Sequence, residues 1–167
     1  TFIPIGFIGP ETLSSNLVKI APSATLYDFG VVTSTMHMAW TRTVCGRLKS
    51  DYRYSVGIVY NNFPWPTNAS EKHKEAVSTA AQGVLDARAK FPDANLADLY
   101  HPLSMPAALV KAHQALDRAV DAAYTPSGGK RTWATEAERV AFLFELNQKI
   151  SSLLPTEKLK GRNRKSA

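Results

Sequence analysis

Apolar residues recur at helical spacing through the second half of the chain and collect in short runs through the first. Residues 67–154 predict three amphipathic helices. Asn68 and Glu71 have the spacing of a capping box, and Val77, Ala80, Ala81, Val84 and Leu85 then share one helical face. Pro92-Asp93 breaks that helix, and Leu96 to Tyr100 makes a short turn of helix stopped before Pro102. Ser104 is placed to cap the next helix, with Pro106 in its first turn. Its stripe is Leu109, Ala112, His113, Leu116, Val120 and Ala123. Pro126-Ser127-Gly128-Gly129 reads as a loop. Thr135 with Glu138 is a second capping box, after which Val140, Leu143, Phe144, Asn147 and Ile150 keep helical spacing to Leu153-Leu154. Short connections between three such helices predict an antiparallel bundle packed on the first region.

Residues 1–66 are richer in β-like runs. Ile3 to Ile8 predicts a strand, with Pro4 at an edge or strand start. Glu11 to Ile20 is ambiguous, and Thr25 to Thr33 is a second strand candidate. Ser34 can cap a helix whose stripe is Met36, Trp40, Val44 and Leu48, with Arg42 and Lys49 on another face. Arg53 to Tyr60 predicts a third strand, ended by Pro64 and Pro66. The expected fold class is therefore α+β: a small mixed α/β subdomain (1–66), then a helical bundle (67–154), then a basic, disordered tail (155–167).

With 44% apolar residues in 167, the chain can bury a real core. No run of 18 apolar residues is present, which argues against a membrane-spanning helix and a membrane partner. A single cysteine, Cys45, excludes an internal disulfide and suits a reducing, cytoplasmic compartment. The chain opens on Thr1 and runs straight into an apolar segment, so a piece of a longer protein is expected.

The net charge of +6 is concentrated in two places. Arg42, Arg47, Lys49 and Arg53 stand against Asp51 alone, and Lys158, Lys160, Arg162, Arg164 and Lys165 stand against Glu157. Basic patches on a near-neutral body point to a polyanion. Arginine grips phosphate bidentately or reads guanine, and asparagine can read adenine. The candidate contacts are thus Arg42, Arg47, Lys49 and Arg53, with Asn61 and Asn62 as weaker ones; a merely solvated face is the plainer reading of the cations. Tyr52 and Tyr54 share strand parity and Arg53 points oppositely, so one face can pack while the other meets DNA.

Catalytic signatures are lacking. Ser127-Gly128-Gly129-Lys130-Arg131 misses the leading glycine and the hydroxyl residue of a phosphate loop. His37, His73, His101 and His113 do not pair at metal spacing. His113 reads as a packed histidine and Cys45 as a small buried hydrophobe in mid-helix. Glu136, Glu138 and Glu145 read as solvated helix carboxylates, Glu138 with a capping role. In Asn61-Asn62-Phe63-Pro64-Trp65-Pro66 the aromatic precedes the first proline, unlike the catalytic motif of adenine-N6 methyltransferases. The block reads instead as a core plug, with Trp40, Phe63 and Trp65 buried.

The order of residues resembles the C-terminal part of MmeI-class DNA methyltransferases of restriction-modification and phage-defence systems. The matching residues are Leu26-Tyr27-Asp28-Phe29-Gly30-Val31, Met36-His37-Met38-Ala39-Trp40, the run Val44 to Ser55, and Val59 to Pro66. In the helical half they are Leu96 to Tyr100, Leu116 to Asp121 and Glu138 to Phe144. The resemblance implies that 1–66 closes a DNA target recognition domain and 67–154 is a helical C-terminal domain. It implies a parent that moves a methyl group from S-adenosylmethionine to adenine N6, with double-stranded DNA and the parent's upstream methyltransferase domain as partners. No cofactor and no catalytic residue are expected within these residues. The competing expectation is a helical protein–protein interaction module without DNA contact.

Overall fold

The computed structural model describes residues 3, 5–15, 18–49, 51–125 and 133–153. The Pro126–Gly129 loop, the Ser127–Arg131 segment and the basic tail lie outside them. The elements run α1 (Leu26–Thr33), α2 (Thr35–Val44), β1 (Gly46–Leu48), β2 (Asp51–Arg53), a π-helical turn (Val56–Tyr60), α3 (Glu71–Ala89), α4 (Leu96–Leu99), α5 (Ala107–Ala123) and α6 (Glu136–Leu153). The small hairpin and the helices together make an α+β protein.

Two strand expectations fail. The described residues from Ile3 to Ile8 form no strand. Instead Arg88 donates to the Ile5 carbonyl at 2.7 Å, and Phe7 lies 5.4 Å from Phe29. Thr25 to Thr33 is a helix, not a strand. Thr25 caps it through a full capping box: Asp28 N–H donates to Thr25 Oγ1 at 3.3 Å, and Asp28 Oδ2 accepts from Thr25 N–H at 2.8 Å. Two satisfied end groups outweigh the β preference of Tyr27, Val31 and Val32, which is only a weak prior.

The core is laid where α1, α3 and α5 meet. α3 and α5 pack antiparallel: Lys72 and Ala76, early in α3, share a groove with Ala119, late in α5, while Arg88 at the far end of α3 reaches toward His113 through Tyr100. Val77, Ala81 and Val84 of α3 and Leu109, Leu116 and Val120 of α5 are buried together, as the sequence stripes predict. The caps shift slightly. Ser70, not Asn68, caps α3, with the His73 N–H donating to its hydroxyl. α5 starts after Pro106 without a side-chain cap, so Ser104 plays no such part. Thr135 accepts from Glu138 N–H as expected, but Glu138 reaches back to Ala134 N–H.

The third long helix makes the expected contact with the first region, but does so more than it joins the other two helices. α6 packs chiefly on α2, in the first region, rather than lying along α3 and α5. Trp40 and Phe144 face each other at 5.2 Å, and Arg42 pairs with Glu136 at 2.5 Å, so Glu136 is not simply solvated. The first half of α6 meets the end of α5, where Arg139 grips Asp121 bidentately at 2.5 and 2.9 Å and Phe142 packs edge-on against Tyr124.

Gly30 sits where α1 presses on the α3–α5 pair. A Cβ there would lie 2.8 Å from Val77 Cγ1 and 3.2 Å from both Ala81 Cβ and Leu116 Cδ1. Alanine would gain about 1 kcal/mol in helix propensity, but overpacking a close-packed contact costs about 1–3 kcal/mol. Gly30→Ala is therefore expected to lower stability in urea denaturation despite improving the helix.

Candidate nucleic-acid interface

α2 carries the basic stretch outward. Ser34 caps it as the sequence predicts, and a second holder comes from far along the chain: Asp117 of α5 accepts from Thr35 N–H at 2.7 Å and from the Thr35 hydroxyl at 2.6 Å. Burial raises the pKa of Asp117, opposed by those two hydrogen bonds. The helix ends at Val44, one turn earlier than the stripe ending at Leu48 requires. Cys45 is its buried C-cap, not a mid-helix residue; burial raises its pKa, against the pull of Arg47. Lys49 consequently shares no helix face with Arg42.

Beyond Cys45 the chain doubles back in a hairpin with register Gly46↔Arg53, Arg47↔Tyr52 and Leu48↔Asp51. Lys49, directly after β1, has φ 56°. That left-handed conformation suits a tight hairpin turn. Cross-strand neighbours share a face. Arg47 lies over the Tyr52 ring at 4.0 Å, and Tyr52 packs on the core. Leu48, Asp51 and Arg53 project from the opposite face and are exposed. Among the described residues, Lys49, Asp51 and Arg53 make no ion pair with one another.

The expected third strand stops at Arg53. Tyr54 turns inward, and its hydroxyl meets His37 Nε2 at 2.9 Å. Val56–Tyr60 winds into a π-helical turn closed by Asn61 N–H donating to the Val56 carbonyl at 2.9 Å. That turn frees carbonyls for other donors: Trp40 Nε1–H reaches Val59 O at 3.0 Å, and the Asn62 amide reaches Gly57 O and Ile58 O at 2.8 and 3.1 Å. Phe63 and Pro64 are buried and Trp65 half-buried; Tyr124 donates to the Pro64 carbonyl at 2.9 Å. The Asn-Asn-Phe-Pro-Trp-Pro block is thus packed into the fold.

The six candidate residues separate accordingly. Arg47, Lys49 and Arg53 come together on the hairpin. Arg42 sits at its foot and is engaged with Glu136. Asn61 is exposed, whereas Asn62 holds the π-turn and accepts from Asn147 at its own carbonyl. The sequence reading missed the anchoring pair His37–Tyr54. A histidine and a tyrosine at opposite ends of a helix-to-hairpin segment carry no periodic signal.

His37 is 1% exposed, edge-on to Phe63 at 4.5 Å, and burial lowers its pKa to about 4. Burial also raises the pKa of Tyr54. A second set, in which Arg88 and Tyr100 are half-buried and His113 is buried, pins the far end of the helix pair. Tyr100 accepts from Arg88 Nε–H at 2.8 Å and sits 2.7 Å from His113 Nε2. Burial, helped by the Arg88 charge, lowers the pKa of His113 to about 4.

Among the described residues, no cluster of His, Cys, Asp and Glu could hold a metal, and no helix is long and apolar enough to cross a membrane. The family model described as the C-terminal domain of MmeI matches residues 69–155, and that described as the MmeI target recognition domain matches residues 1–67. The chain belongs to the MmeI family. It is 39% identical over 150 residues to DNA methyltransferase A of Bacillus subtilis (strain 168), covering 90% of this chain and 16% of that protein. The solved structure of the type IIL restriction-modification enzyme MmeI in complex with DNA aligns with a TM-score of 0.73 and 49% identity, covering 79% of this chain and 17% of that one. The chain thus spans about a sixth of the length of either relative. It corresponds to the C-terminal part of an MmeI-class enzyme.

The two buried histidines make the fold acid-sensitive. Each titrates near 6.5 when unfolded and near 4 when folded, so the unfolded chain takes up protons first as pH falls. Stability is full above about pH 6.5 and declines toward pH 4, by roughly 3 kcal/mol per histidine at the limit. Asp117 acts oppositely, its raised pKa removing stability as pH rises above its usual range. Urea denaturation at pH 7 and pH 4.5 is expected to show lower stability at the acid value, with His37→Gln narrowing the difference.

Proposed function

We propose that this chain is the DNA-contacting end of a longer, cytoplasmic, S-adenosylmethionine-dependent adenine-N6 methyltransferase, and that the Gly46–Arg53 hairpin lies on the duplex. The observation that carries this reading is the hairpin itself. Three cations stand on a narrow two-stranded projection whose base is fastened by Tyr52, Tyr54 and His37. A two-stranded ribbon of this kind can lie in a groove of the duplex. The name of the Bacillus subtilis relative and the DNA in the MmeI complex support the same partner.

Arg47 and Lys49 contact phosphates, and Arg53 contacts phosphate or a base edge. Asn61 is a secondary contact. Arg42 and Asn62 serve the site by holding α6 and the π-turn. The boundary between the recognition part and the helical part lies near residue 66, and the helical part rests on the upstream methyltransferase domain of the same protein.

The groove between α3 and α5 does not suit the methyl donor. It is lined by Lys72, Glu75, Ala76, Thr79, Ala80, Ala115 and Ala119. It has no aromatic face for the donor's adenine ring and no enclosed polar group for its ribose. By the family resemblance, the donor site lies in the upstream part of the enzyme.

If three hairpin cations touch phosphates, log K for duplex binding falls with log[salt] with a slope near about −3. In the full-length protein, Arg47→Ala/Lys49→Ala is expected to weaken duplex binding and flatten the slope by about 2. Fluorescence anisotropy over a salt series measures both, and an unchanged affinity and slope would remove the assignment.

A further inference from the structure

Leu48 is 64% exposed at the last position of β1, directly before the tight turn. Arg47 and Lys49 flank it in sequence, and Arg53 shares its face. Val56 and Ile58 are also exposed, but on a turn without cations. Leu48 is thus an aliphatic side chain at the tip of the element that carries the positive charge.

The base of the hairpin is stiffly held. Tyr52 rests on the core under the Arg47 guanidinium, Cys45 is buried, and the Tyr54 hydroxyl meets His37. A fixed base lets a tip push against a resisting partner. Adenine N6 is reached by turning the nucleotide out of the helix, which leaves a gap in the base stack. Proteins insert apolar side chains such as leucine between base steps, and the cost of unstacking is offset by contacts around the wedge.

We infer that Leu48 is a wedge that enters the base stack of duplex DNA beside the target adenine and stabilises its turned-out state, with Arg47 and Lys49 gripping the phosphates on either side. The inference rests on the DNA-contacting assignment of the hairpin. Leu48 acts as a positioning residue, since it touches neither the methyl donor nor the reacting amine.

The test uses the full-length protein and a duplex of the sequence it methylates, with 2-aminopurine in place of the target adenine. Unstacking of that base raises its fluorescence. Leu48→Ala is expected to reduce the fluorescence rise, and methylation of the unmodified duplex, by at least about tenfold. The salt slope of binding should stay unchanged. Leu48→Met should retain most of the signal. A duplex with an abasic residue opposite the target is already open there, and should restore methylation by Leu48→Ala to within about threefold of the parent.

If Leu48→Ala keeps the full fluorescence rise while Arg47→Ala/Lys49→Ala still flattens the salt slope, the hairpin lies on DNA and the wedge is wrong. If Leu48→Ala lowers the melting temperature and loses activity equally on intact and abasic duplexes, Leu48 packs against another part of the protein, which also overturns the wedge. If the basic double variant and Leu48→Ala both leave binding and fluorescence unchanged, the DNA assignment of the hairpin itself falls.

Discussion

The start of α2 is held by a carboxylate that arrives 82 residues later in the chain. Asp117 gives both oxygens to Thr35, one to the backbone and one to the hydroxyl. A helix N-terminus carries partial positive charge and unpaired N–H groups, so an acceptor there satisfies both needs. The carboxylate is largely taken out of water to do this, as its raised pKa records. Its charge is tolerable only while Thr35 stays in place. One contact thus fixes where α2 begins relative to α5, and α2 in turn sets the root of the hairpin.

From that root the remaining structure follows. Met36, Trp40 and Thr41 bury one side of α2, His37 reaches Tyr54, and Arg42 reaches α6. The hairpin, the π-turn and the Phe63–Pro66 block all hang from this helix. The positively charged surface is therefore not a loose appendage. Its base is tied by aromatic packing and by hydrogen bonds between groups whose partners lie in other elements.

Local signals were legible where caps and stripes agree. Ser34, the α3 and α5 stripes and the Thr135–Glu138 pair all read correctly because helix ends and faces are written in neighbouring residues. Thr25 to Thr33 has a strand-like composition because its aromatic and β-branched residues mask a Thr-x-x-Asp box. Arg53 to Tyr60 looks like a strand for a different reason. The break after Arg53 depends on His37 and Trp40 drawing Tyr54 and Val59 inward, and no strand pattern reports that. The seat of α6 was equally hidden, since Arg42 and Glu136 are 94 positions apart. For the candidate interface, the cluster of basic residues is visible in the sequence, but its division between Arg47, Lys49 and Arg53 on the hairpin and Arg42 at a helix contact is not. The MmeI resemblance lay in the ordered run from Val44 to Pro66, which family models, relatives and fold all support.

The packing of Phe63 to Pro66 bears on how such proteins can be recombined. A junction near residue 67 looks natural on paper, because the character of the sequence changes there. Yet Tyr124 of the later half holds the Pro64 carbonyl, and Phe144 of the later half covers Trp40 of the earlier one. A specificity graft spliced at that point would set foreign surfaces against each other in the middle of a shared interior. A transplant that respects this architecture would carry α6 and the end of α5 along with the hairpin, or else re-match Trp40, Phe63, Tyr124 and Phe144 as one unit.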